Sequence, residues 1–93
     1  MDEYKDLIAM VVRREFGVLG QEKTLALLPE VGVRADAQGQ ILSYTGPGRE
    51  ALDRLLRRFG EKYGLWAVLA CKISVLKEAA RRNLALPDVL AVK

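Results

Sequence analysis

Leu65-Trp66-Ala67-Val68-Leu69-Ala70-Cys71-Lys72-Ile73-Ser74-Val75-Leu76-Lys77-Glu78-Ala79-Ala80-Arg81-Arg82 is the stretch on which the reading of this chain turns. Residues 65 to 71 are apolar without a break, so the first two turns of a helix built from them are oily on every side. An ordinary surface helix keeps one side polar. Charge returns at Lys72 and then at Lys77, Glu78, Arg81 and Arg82, so the helix is expected to begin inside the protein and end in water. Such a segment needs cover all round, and the rest of the chain reads as its wrapping.

The segment before it carries the clearest amphipathic pattern. Ala51, Leu52, Leu55, Leu56, Phe59 and Tyr63 share one stripe, with Arg54, Arg57, Arg58 and Glu61 opposite. This predicts a helix over residues 48–62, opened by Thr45-Gly46-Pro47-Gly48, where proline suits a first turn. Gly60 and Gly64 bracket the reversal into a helix over residues 65–82, so the last two helices are expected to pack antiparallel. Asn83 suits a cap, and Pro87 lies past the end.

Nearer the start, Tyr4, Leu7, Ile8, Val11 and Val12 recur at helical spacing behind Asp2 and Glu3, which predicts a helix over residues 2–16 stopped by Gly17. A short helix over residues 21–28 follows, with Leu25 and Leu28 inward and Pro29 barring continuation. Val31, Val33 and Ala35 alternate with polar or small residues, and 41–44 is a second extended run. Strands over 31–35 and 40–44 therefore form a hairpin. The expected fold is a single mainly α domain over residues 1–93, of about four helices with this small β-hairpin. Arg14-Glu15-Phe16-Gly17-Val18-Leu19-Gly20 and Glu61-Lys62-Tyr63-Gly64-Leu65-Trp66-Ala67 echo each other, and both read as helix-to-helix turns. The tail from Leu84 to Val92 is apolar enough to be expected to dock.

Composition narrows the chemistry. The chain has 93 residues, 51% of them hydrophobic, with one cysteine and no histidine. That argues against zinc or haem ligation and removes the usual general base, so no cofactor and no metal are expected. No acidic pair or serine sits in a recognisable catalytic setting, and the chain reads as non-enzymatic. Cys71, inside the apolar run, is expected to be an inert core thiol. Lys72 snorkels to water or, if desolvated, carries a lowered pKa. Trp66 is either a core residue or an interface anchor. No run reaches the roughly 20 apolar residues of a membrane span, and residues 1–6 are too acidic to begin a signal peptide, which points to the cytoplasm.

Charge is unevenly placed. Residues 49–82 hold nine basic and four acidic side chains, a balance of +5, leaving −2 elsewhere in a total of +3. Arg49, Arg54, Arg57, Arg58, Lys77, Arg81 and Arg82 are candidate contacts for nucleic acid or an anion, Arg49 because it follows the glycine-bearing loop 46–48. Acidic residues interleave with them as on a solvated face, and no aromatics stand among them for bases to stack on. Asp36-Ala37-Gln38-Gly39-Gln40-Ile41 resembles the Asp-x-x-Gly-x-Ile/Val turn of small sensory and scaffold domains of the PAS and roadblock types. Those domains follow their first hairpin with further strands, whereas this chain continues into two helices, and no family is assigned on six residues.

Apolar surface in excess of what ninety-odd residues can enclose predicts a closed two-fold homodimer. Leu65, Trp66, Leu69, Ile73 and Leu76 are its expected interface, in a non-catalytic cytosolic regulatory or scaffold module. Two other functions are weighed against it: nucleic-acid binding through the basic face, and carriage of an apolar small molecule beside Trp66, Leu69 and Ile73.

Overall fold

The computed structural model describes residues 3–84, and the expected docking of the tail falls largely on residues 85–92, outside the described ones. The fold is mainly α with a two-stranded antiparallel hairpin. The elements run α1 (Glu3–Leu19), α2 (Gln21–Leu27), a 3-10 turn (Leu28–Val31), β1 (Val33–Ala35), β2 (Ile41–Tyr44), α3 (Gly48–Tyr63) and α4 (Leu65–Arg82).

Helices α1, α3 and α4 pack on one another around the core. The stripe of α3 is buried as its periodicity requires: Ala51, Leu52, Leu55, Leu56 and Phe59 are fully enclosed. Leu7, Ile8, Val11 and Val12 of α1 and Val68, Cys71 and Val75 of α4 close on them. The chain reverses at Gly64, so α4 returns antiparallel to α3, with Val68 against Gly60. It is antiparallel to α1 as well, since Arg14 donates to the Ser74 hydroxyl (3.1 Å) and Arg82 to Asp6 (2.7 Å). Asn83 ends α4 in the left-handed conformation, φ 58°, its N–H on the Ala80 carbonyl. The half-buried Leu84 then folds back, its N–H on the carbonyl of Ala79.

Several boundaries differ from the sequence expectation; α3 runs one residue further, to Tyr63, and β2 begins one residue later, at Ile41. Helix α1 does not stop at Gly17 but runs through it to Leu19. Nothing but the cost of a mid-helix glycine opposes that, about 1 kcal/mol, whereas Gly20 has the positive φ (94°) that a reversal demands. Both copies of the echo, 14–20 and 61–67, contain a helix-to-helix turn, at Gly20 in the first and Gly64 in the second, so the turn falls at different places in the two copies. Helix α2 closes at Leu27 rather than Leu28, and Leu27 is fully buried while Leu25 is only half-buried. Val31 and Gly32 are not part of a strand, because Pro29 lacks the N–H to extend α2 but fits the first turn of the 3-10 segment, which takes up Val31.

The hairpin is correspondingly short. Val33 faces Tyr44, Arg34 faces Ser43 and Ala35 faces Ile41, with an irregularity between Arg34 and Ala35. Asp36 builds the connection, its Oδ1 accepting from the N–H groups of Gln38 (3.0 Å) and Gln40 (2.9 Å). Gly39, at φ 84°, is pressed so close to α1 that a Cβ there would lie 2.9 Å from Arg13 Cγ and 3.1 Å from the Phe16 ring. Glycine at this position seats the hairpin on α1.

Candidate protein interface

Helix α4 has two apolar faces. Ala67, Val68, Cys71, Val75 and Ala79 point into the core and are buried. On the other side Leu65, Trp66, Leu69 and Ile73 are 67%, 53%, 52% and 72% exposed. Leu76, at the edge, is half-buried and leans on the core cluster. With 3.6 residues per turn, positions 65, 66, 69, 70, 73, 76, 77 and 80 line the outer half of the helix. Lys77 is the one charged side chain among those eight. The expectation that the helix begins inside the protein is therefore corrected: Leu65 and Trp66 at its start are exposed, and the chain covers only the half toward α1 and α3. Scattered exposed leucines are ordinary, but four large apolar side chains on successive turns form a contiguous patch of the kind that marks an interaction surface.

Trp66, for which core and interface were both open, stands on the outer face. Lys72 is half-buried at the side of the helix and has an electrostatic or hydrogen-bonded partner. Beside the patch an open groove between α3 and α4, about 290 Å³, is lined by Leu56, Gly60, Leu65 and Val68 with Arg57 and Glu61 at its lip.

The candidate anion contacts other than Lys77, which is exposed on the outer face, are engaged within the chain. Arg54 lies half-buried and donates to the carbonyls of Val31 (3.4 Å) and Thr45 (2.6 Å), joining the 3-10 turn and the end of β2 to α3. Arg54→Ala is expected to lower stability by about 1–2 kcal/mol in urea denaturation, because it leaves those carbonyls without their charged donor. An unchanged midpoint would refute this role. Arg57 pairs with Asp53 (2.8 Å), and Arg58 with Glu30 (2.7 Å). Hydrogen bonding from Arg58 holds the Glu30 carboxyl below the usual range, with Lys62 adding to it. Arg81 and Arg82 both close on Glu78, and their hydrogen bonds bring its pKa down to about 2. Arg49 also has a partner. The cations of α3 are thus tied to the hairpin side and to Glu30, and Arg82 to the first turns of α1 through Asp6.

One group that sequence reasoning passed over stands out. Glu15 of α1 is fully buried, and neither carboxylate oxygen has a hydrogen-bond partner among the described residues. Burial raises its pKa from 4.5 to about 7, an effect only partly offset by the neighbouring Cys71 thiol. That thiol is directed at the carbonyls of Ala67 (3.7 Å) and Val11 (4.0 Å). Burial first, and then the Glu15 charge, push its own pKa to about 12, against a small opposing pull from Arg14. Cys71 is therefore a protonated core thiol, not a nucleophile, at neutral pH. The signal for Glu15 was present: it continues the buried stripe of Ile8, Val11 and Val12 one turn further on.

Among the described residues no cluster of three metal-ligating side chains occurs, and no helix is long and apolar enough to cross a membrane. Compared with protein-family models, curated proteins and solved structures, the chain matches none.

Proposed function

We propose that this protein is a non-catalytic, cytosolic interaction module, regulatory or scaffolding in role, that acts as a homodimer through the outer face of α4. The observation that carries the reading is the second apolar face, Leu65, Trp66, Leu69 and Ile73, left in water on a helix whose opposite face is already buried. An uncharged centre with an aromatic anchor is the composition of an interface core. A face that is its own partner needs no second gene product, and two-fold pairs are the commonest assembly. The non-catalytic part is supported by the ionisable groups themselves. The two most perturbed in the core, Glu15 and Cys71, are 0% and 1% exposed, and Glu78 is held in ion pairs.

Two other readings have less support. Nucleic-acid binding would have to recruit Arg57, Arg58, Arg81 and Arg82 out of existing ion pairs and Arg54 out of its backbone contacts. A small-molecule carrier needs an enclosed apolar cavity, whereas the clefts beside α4 open to solvent.

Sedimentation at tens of micromolar tests the reading. A two-fold assembly is expected, with a melting temperature that rises with protein concentration. A strict monomer would overturn it.

A further inference from the structure

Two neighbouring arginines of α1 are not neutralised as those of α3 and α4 are. Arg57, Arg58, Arg81 and Arg82 each pair with a carboxylate. Arg13 and Arg14, both exposed, pair with no carboxylate among the described residues, and Arg14 gives only one N–H to the neutral Ser74 hydroxyl (3.1 Å). Nor is an acid placed to reach them along the helix, since positions 9, 10, 11, 16, 17 and 18, three and four residues away, hold none.

These guanidiniums border an open cleft of about 480 Å³ between α1 and α4, together with Met10, Gly17, Val18, Ser74 and Val75. None of the residues around it is acidic. It shares Met10 and Arg13 with a second cleft, about 620 Å³, whose two carboxylates, Asp6 and Glu78, are both held by Arg82. Residues 5 to 18 of α1 border the two clefts, a groove about 20 Å long at 1.5 Å per residue.

Gly17 supplies an independent observation. It lies inside α1 without the positive φ that would require glycine, and a Cβ added there would meet nothing within 4 Å. Neither backbone geometry nor packing within the chain demands glycine at this position, and alanine is the better helix former. What glycine provides is bare backbone on the cleft wall, where another molecule can approach closely.

We propose that the groove between α1 and α4 receives an acidic amphipathic helix of a partner protein, seated over Gly17, with its apolar stripe on the half-buried Met10 and Val18 and its carboxylates on Arg13 and Arg14. An elongated groove between two helices fits a helix, and guanidiniums match carboxylates in bidentate geometry. A nucleic acid would also answer the charge, but it would leave the aliphatic side chains unfilled and finds no aromatic residue around either cleft to stack on. A second copy of this chain is a poor occupant, because the exposed apolar face of α4 carries Lys77 and no carboxylate. No residue bordering the groove belongs to that outer face, so this surface is additional to the homodimer contact and independent of it.

A displayed library of random helical peptides of about four turns, selected against the immobilised full chain, tests the proposal. Enriched sequences are expected to place Asp or Glu beside Leu, Ile or Met. Titrated by fluorescence anisotropy, they should bind more weakly as salt rises, and about ten-fold more weakly to the Arg13→Ala, Arg14→Ala double variant. Gly17→Leu should abolish binding while circular dichroism stays helical, because the new side chain enters open space within one copy and blocks the approach of another molecule. Ile73→Asp, on the other face, should leave the affinity unchanged. A library without enrichment for acidic sequences, binding indifferent to Arg13 and Arg14, or undiminished affinity of Gly17→Leu would overturn the proposal. Loss of binding in Ile73→Asp would also overturn it, by moving the site to the outer face of α4. Tighter binding of a random-sequence oligonucleotide than of every selected peptide would do so as well, by making the groove a nucleic-acid surface.

Discussion

Ile73→Asp is expected to abolish self-association, weakening it by about 100-fold or more, while the monomer stays folded. Ile73 is 72% exposed on α4 and touches the core only through the helix that carries it, so the substitution disturbs little within one copy. In the proposed pair it occupies the centre of the contact and appears twice. Removing a buried Ile costs about 1.5–3 kcal/mol each time, and an aspartate confined there without a partner adds to the loss. Doubling the smaller figure alone gives about 3 kcal/mol, or roughly 100-fold. Sedimentation combined with far-UV circular dichroism checks both halves: a helical monomer is the expected result. A dimer of undiminished affinity would place the interface elsewhere.

Stability itself is expected to depend on pH in an unusual direction near neutrality, through Glu15. Its pKa is about 7 in the folded chain against 4.5 for the ordinary group, so the folded state holds the proton more tightly. Below pH 4.5 both states are protonated and the fold loses nothing. Between 4.5 and 7 the unfolded chain releases its proton first, and stability falls. Above 7 the whole difference has been lost, about 3 kcal/mol at 1.36 kcal/mol per pKa unit. That is a large part of the 5–15 kcal/mol that holds a typical domain together. Glu15→Gln should match the parent protein near pH 5 and exceed it by up to about 3 kcal/mol at pH 8, measured by urea denaturation at one fixed protein concentration. Glu30 and Glu78, whose pKa values are lowered by their arginines, act in the opposite sense and destabilise the fold as pH drops below 4.5. Together they place the maximum near pH 5. Parallel pH profiles for the parent and Glu15→Gln would exclude a buried, proton-linked carboxyl.

Much of the architecture was legible because it rests on periodicity. The stripe of α3 and the limits of α4 follow from apolar spacing and from the reversal at Gly64, and the structure reproduces them. The hairpin was legible in kind and imprecise in length, since alternation at Val31, Val33 and Ala35 also fits a 3-10 turn leading into a strand. Which of Gly17 and Gly20 ends α1 was not legible, because both lie in a run that can be helical and only the fold decides where the chain must reverse. For the site, an uninterrupted apolar run said that α4 carries more oil than one face needs. It did not say which half is left outside, which depends on where α1 and α3 stand. Glu15 was overlooked because a carboxylate is ordinarily assigned to the surface, whatever stripe it continues. The ion pairs of Arg58 with Glu30 and Arg82 with Asp6 join residues far apart in sequence, and no spacing rule reaches them.

The place of the hairpin has a practical consequence. Its strands rest on α1 and the 3-10 turn, and its tip is fastened by a hydrogen bond from Gln21 to Ala37, whereas the outer face belongs to α4. Residues 37 and 38 at the tip are exposed. A fluorophore or an epitope grafted at Gln38 would therefore sit on a residue that is no part of the proposed contact face, and two such reporters would gauge the proposed assembly by their separation.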